Sequence, residues 1–286
     1  RADCAPIARR LRADCAPSSA QVVNRWPRHA SLTSKDGSLH SLVAYYLPPA
    51  LQLTDPQLAF AYCHRLGIPP PFLPASPVLH CHRRCPSFPP SRPIPASHPL
   101  YLLAAHAVHQ LGCGAAGFRH ARHDALVRLI AAAAHRELGV LAEHRDRLCS
   151  STSSGRKVDL VITSYSLLPH VLAVDATVAC PLLPSHSAAS SHSAASLFSA
   201  RAAAKDGKHL AGCLALGRSF LPIVLSTFGG IGPPAALDWL DSLFHSSFAS
   251  ERRAGSTGSS TALRRTTFYA SLHASLARSC TDMCVR

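Results

Sequence analysis

Acidic side chains are scarce in this sequence, 15 Asp and Glu against 29 Lys and Arg in 286 residues, for a formal charge of +14. A chain this basic, with a pI near 9.7, is expected to seek a polyanion, nucleic acid first. High-GC codon usage, which enriches Arg and Ala, gives the same composition. The excess is concentrated in places: residues 61–128 hold seven Arg and one Asp, and residues 251–286 hold six Arg against Glu251 and Asp282. Also lacking is any run of about 18 uncharged apolar residues, so a membrane-spanning helix is not expected. The 11 Cys are odd in number and without dense spacing, which argues against a small disulfide scaffold. The first residues contain no apolar stretch of the leader type. A reducing compartment, nuclear or cytoplasmic, is therefore expected. No Walker A or GxSxG sequence occurs, which removes the usual NTPase and serine-hydrolase readings. There is one Met, and the chain opens on Arg1, so a piece of a longer polyprotein is expected.

Residues 1–50 are polar and basic, carry RADCAP twice (Arg1–Pro6 and Arg12–Pro17), and read as a flexible arm or linker. Residues 51–120 form an irregular Pro/Cys/His-rich segment, with a helix predicted over Pro56–Leu66 and eleven of the 23 Pro within 69–99. The character changes in residues 121–248. His123–Leu138 places Leu126, Ile130, Ala133, Ala134 and Leu138 on one helical stripe. Two β-type runs follow, Val158–Thr163 and Val171–Cys180, then an Ala-rich helical stretch within Ser187–Leu214 and a third strand, Phe220–Phe228. GGIGPP breaks that strand, and Pro233 suits the first turn of a helix running to about Phe248. Residues 249–286 read as a Gly/Ser linker, Glu251–Thr261, and a basic amphipathic helix, Arg264–Arg278. The expected fold class is α/β, a small mixed sheet flanked by helices.

The central stretch is GRKVDLVITSYSLLPHVLAVDATVACP, Gly155–Pro181. Each apolar run carries one interior carboxylate, and a buried Asp is costly without a partner. If Ser164–His170 connects an antiparallel hairpin centred on Leu167, Asp159 lies across from Asp175. Directly opposed like charges repel. Mg²⁺, a hard cation that prefers carboxylate oxygens, would convert that repulsion into a binding site. A metal held there can polarise a phosphate and lower the pKa of a water. A Lys near it can position the water or stabilise developing negative charge. Asp159, Asp175 and Lys205 supply these residue types. The structural alternative places Asp175 at a strand edge and Asp159 on a surface turn.

A series of short motifs then carries a resemblance. RHDAL (Arg122–Leu126), RKVDLVI (Arg156–Ile162), VDATVACP (Val174–Pro181), KDGKH (Lys205–His209) and FLPIVLSTFGGIGP (Phe220–Pro233) occur in order. Upstream stands LQLTDPQLAFAYCHRLGIPPPFLP, Leu51–Pro74. Over roughly residues 50–248 the chain resembles the carboxy-terminal part of non-LTR retrotransposon polyproteins. In that class a zinc knuckle and a restriction-like endonuclease with a PD-(D/E)xK-type core follow reverse transcriptase. The resemblance implies a restriction-endonuclease-like core and Mg²⁺-dependent nicking of DNA. Asp159 would be the first metal-binding acid and Asp175 the second. Lys205 would be the catalytic amine on the following helix, with Lys208 as its substitute, since Thr177 stands where a Lys usually follows the second acid. A further helical acid would be Glu137 or Glu143. Val158 replaces the Pro of the PD pair, and Ser226 stands where relatives often have Glu.

Cys81-x3-Cys85 and His109-x3-Cys113 are a second candidate constellation, because thiolate and imidazole suit tetrahedral Zn²⁺. His80, His82 and His106 compete as ligands, and a 23-residue loop between the pairs is long. The resemblance places a knuckle just before RHD, where it would grip DNA or RNA. His123 and Asp124 could assist catalysis, but an Asp near a helix start more often complements the dipole. Cys280-x3-Cys284 has no partner pair. GCGAAG, Gly112–Gly117, fits GxGxxG without the preceding strand a dinucleotide site requires. GGIG before Pro233 could offer amides to a phosphate, though a tight turn is the simpler use.

Overall fold

The computed structural model describes residues 52–66, 111, 118–139, 141–144, 157–163, 171–181, 193–253 and 259–285, with isolated positions between 183 and 189. Cys81, Cys85, His109 and Cys113, the arm and the hairpin connection at 164–170 lie outside them. The elements in chain order are α1 (Asp55–Leu66), α2 (Phe118–Leu138), β1 (Leu141–His144), β2 (Leu160–Thr163) and β3 (Leu172–Ala179). Then come α3 (Ala194–Ala215), β4 (Ser219–Ser226), β5 (Ile231–Gly232), α4 (Pro234–Arg253) and α5 (Ser259–Val285). The five strands form one mixed sheet in the order β1-β2-β3-β4-β5. β3 and β4 are parallel and the other pairs antiparallel. The expected α/β class, a small mixed sheet with flanking helices, is what the chain forms.

Period-two alternation sorts β3 between two layers. Val174 and Ala176 enter the main core with Leu126, Ile130 and Ala134 of α2 and Leu240 and Phe244 of α4. Ala173 and Ala179 face the other way, toward Cys213 and toward Leu197, Phe198 and Ala202 of α3. A parallel β3–β4 pair cannot be closed by a tight turn and needs a crossover, which α3 supplies. Ser193 caps its start, accepting from the Ser196 N–H at 3.0 Å. Its end is closed by Gly217 at φ 65°, with Arg218 N–H donating to Cys213 and Gly217 N–H to Leu214. That paired closure is the Schellman motif, and the left-handed residue it needs is cheapest as Gly.

Several boundaries differ from the sequence reading. α2 begins at Phe118 with no acid in its first turn. Asp124 is therefore well inside the helix and pairs with His123, not with the helix dipole. β1 and β5 were not expected; the first is four residues with a Glu and a His, the second two residues inside GGIGPP. Glu143, read as a helical acid, lies on β1 opposite Val161. α4 continues to Arg253 and α5 starts at Ser259, so helix occupies much of the expected linker. α5 packs against α1, α2 and α4. Its Phe268, Tyr269, Leu272, Leu276 and Cys280 join the same core cluster as Ile130 and Leu240. No helix of the described residues is long and apolar enough to cross a membrane.

Candidate active site

The hairpin register centred on Leu167 holds where the ladder is described: Leu160 faces Val174, Val161 faces Ala173 and Ile162 faces Leu172. At Asp159 the ladder departs from that register. The Asp159 N–H donates to the Val174 carbonyl at 3.1 Å, so two successive residues address one partner. One extra residue of this kind bends the strand and re-aims a side chain. The Asp159 carboxylate thereby reaches over to β3, where Oδ2 accepts from the Ala176 N–H at 2.8 Å. The same oxygen takes a hydrogen bond from His123 Nε2 on α2, at 2.9 Å. That imidazole nitrogen also lies 3.2 Å from the Ala176 carbonyl oxygen. Its other nitrogen is 3.2 Å from Asp124 Oδ1.

Asp175 belongs to the β3 face that meets α3. On that helix Phe198, Ala202, Lys205, His209 and Cys213 recur at steps of three and four residues, forming one stripe. The ends of the stripe are apolar and pack on the sheet. The middle is polar, where Asp175 interrupts the strand. Lys205 Nζ lies 2.6 Å from Asp175 Oδ2, and His209 Nε2 lies 3.3 Å from the same atom. The carboxyl of Asp175 is 4% exposed, so its environment is set by protein and not by water. The His209 ring also packs against Phe220 of β4, with 5.7 Å between centroids.

The two carboxyls act on each other, and their protonation equilibria are pushed apart. Burial, the hydrogen bond with Asp159 and that group's charge push Asp175 up to about 6, against the pull of Lys205. Asp159 is buried as well, which works against ionisation. Hydrogen bonds from His123, Asp175 and the Ala176 amide nevertheless hold it below the usual carboxylate range. His123 is raised, chiefly by its hydrogen bond to Asp159 and in spite of burial.

These groups line a cleft of about 620 Å³. Around the acids its wall carries Arg119, Lys157, Arg201 and Lys208 along with Lys205. Arg122, the first residue of RHDAL, also borders the cleft. Its guanidinium is buried, donating to the Leu111 carbonyl at 3.1 Å and to Cys280 Sγ at 3.5 Å. Burial raises the Cys280 thiol, which keeps it neutral beside that cation.

The fold thus brings together Asp159, Asp175, Lys205 and Lys208. Glu137 has a different engagement: its carboxylate is met by Arg136 at 3.0 Å and by Arg264 of α5 at 3.1 Å. Ser226 turns inward and accepts from the Gly230 N–H at 3.0 Å, closing the loop after β4. His209, Arg119 and Arg201 were missed as site residues. The interruption of α3's apolar stripe by Lys205 and His209 was the available signal for the first of them.

Among the described residues no three His, Cys, Asp or Glu side chains are grouped as metal ligands. The oxygen donors that line the cleft together are the Asp159 and Asp175 carboxylates and Ala176, whose carbonyl shares His123 Nε2 with Asp159 Oδ2. Two carboxylates and a carbonyl suit Mg²⁺, which takes few protein ligands and keeps waters. No protein-family model matches the chain, and no curated protein matches it either.

Proposed function

We propose that this protein is a divalent-cation-dependent nucleic-acid phosphodiesterase, specifically a DNA-nicking endonuclease with a restriction-like core of the retrotransposon type. The observation that carries the reading is the meeting of Asp159, Asp175 and Lys205 in a basic cleft. Asp159, Asp175 and the Ala176 carbonyl would hold Mg²⁺. The ion supplies charge stabilisation at the phosphoryl oxygens and a more acidic bound water. Arg119, Arg201 and Lys208 attract the phosphate backbone and align it across the cleft. Lys205, on the Asp175 side, presents its ammonium to the attacking water or to the charge that develops on the phosphate. The Asp175 carboxyl keeps Lys205 in place meanwhile.

A nicking assay on supercoiled plasmid with Mg²⁺ tests this reading. Wild-type protein should produce open circles, and Asp175→Ala should lose at least about a hundredfold in rate while still binding DNA. Equal nicking by both proteins sinks the assignment. A second reading, a nucleic-acid-binding module that no longer cuts, is favoured by Thr177 in the place of the usual Lys. DNA binding by both proteins with nicking by neither would select it. The Cys81, Cys85, His109 and Cys113 quartet would add a Zn²⁺-held grip on DNA or RNA. Metal analysis of the purified chain should find bound zinc that is lost on Cys81→Ser with Cys85→Ser.

A further inference from the structure

His123 has a position that the phosphodiesterase reading does not use. Its Nε2 stands 2.9 Å from Asp159 Oδ2 and 3.2 Å from the Ala176 carbonyl oxygen. These are two of the three oxygen sources assigned to the cation. They converge on one nitrogen from two different strand segments, Asp159 ahead of β2 and Ala176 within β3. A point that satisfies both acceptors is where a positive centre gains most. The imidazole comes to it from α2, on the opposite side of the sheet from Lys205. Asp124 Oδ1, 3.2 Å from Nδ1, steadies the ring from behind.

We propose that His123 is a built-in stand-in for the cation: its Nε2–H occupies the place of the metal and must leave before Mg²⁺ binds. The inference rests on the proposed Mg²⁺ site and adds to it a competition within the chain. The hydrogen bond aligns the Asp159 carboxylate, and metal binding would have to replace that bond. His123 is thus a positioning residue, opposed to the ion and not one of its ligands. A ligand role would require the ring nitrogen to face the metal with its lone pair. That arrangement is incompatible with Nε2 donating to two oxygens.

Calorimetric titration of the full chain with Mg²⁺ alone, and with Mn²⁺ alone, tests the proposal without reference to cleavage. His123→Ala should bind either ion on the order of tenfold more tightly, as expected for releasing one hydrogen bond to a charged acceptor. His123→Gln, which can present an N–H near the same place, should stay within about threefold of wild type. Far-ultraviolet dichroism and cooperative urea unfolding establish that the variants are folded. Equal or weaker binding by His123→Ala overturns the stand-in while leaving the metal site intact. Absence of binding by all three folded proteins overturns the stand-in and the metal-dependent reading together. Asp159→Ala, binding neither ion, confirms that the titrated site is the one described.

Discussion

At Asp175 the proposed chemistry would be in conflict with stability at a single residue. It is buried on β3, beside a second carboxyl and under an ammonium and an imidazole. A buried like-charge contact of this kind is retained at a cost to the folded state. In the absence of divalent cations, Asp175→Asn should therefore unfold at an equal or higher urea concentration than wild type. Mg²⁺ should raise the midpoint of wild type and leave that of Asp175→Asn unchanged; urea titrations with and without the ion read both. A different residue-scale constraint acts at Gly232. A Cβ there would lie 2.5 Å from Phe198 Cδ2 and 2.8 Å from its Cβ, because the loop after β4 is pressed onto α3. Gly232→Ala should cost about 1–3 kcal/mol, the usual range for overpacking. Phe198→Leu in the same chain should recover part of it, measured by urea denaturation. That contact also explains two glycines of GGIGPP: Gly230 and Gly232 permit the close approach of Phe198, while Gly229 turns the chain at φ 95° and Ser226 takes up the Gly230 amide.

Between elements, the fastening of α5 to its neighbours is polar at the rim and apolar inside. Arg265 grips Asp241 of α4 with two hydrogen bonds of 2.8 Å, and Tyr269 Oη donates to the same carboxylate at 2.7 Å. Partial burial opposes ionisation of Asp241, yet these donors hold it below its ordinary value of 3.8. A depressed carboxylate stabilises the fold above its unfolded pKa, and the benefit disappears as pH falls through the folded one. Asp241→Asn should thus lose about 1 kcal/mol at pH 7, a figure discounted for the partly exposed pair. The difference from wild type should narrow steadily as pH drops below 3.8 in urea titrations. Deeper in, Leu272 is 0% exposed and sits with Phe60, Ile130 and Phe244. Leu272→Ala should cost about 2–5 kcal/mol. A helix lying outside the core would show no such penalty.

Across the whole molecule, charge and apolar surface are kept apart. The main core runs from α1 through α2 and α4 to α5, on one side of the sheet. The basic cleft lies between α2 and α3, where the acids stand. Neutralising phosphates with Lys and Arg releases counterions, so binding weakens as salt rises. Arg201→Ala and Lys208→Ala should each weaken DNA binding and each reduce the slope of log affinity against log salt by about one. Fluorescence anisotropy over a salt series checks this, and an unchanged slope in both would remove them from the interface.

The hairpin register was legible because two apolar runs of fixed period flank a short connection, which leaves one pairing that buries both. The helix at His123–Leu138 was legible through its stripe, and the crossover through the Ala-rich stretch between two strands. Those are local properties, carried by neighbours in the chain. The re-aiming of Asp159 toward Ala176 was not legible, since one extra residue in a ladder leaves no mark on the alternation of side chains. Nor was the arrival of His123 at the same oxygens, because α2 and β3 are brought together by the packing of Ile130 and Ala134 and not by sequence spacing. The basic amphipathic helix at Arg264–Arg278 was legible too, but not that Leu272 and Leu276 on it would join the main core. Sequence alone determined which residues could be strand, helix and acid. Tertiary structure decided which of them meet, because convergence of side chains depends on distances between elements that no local pattern encodes.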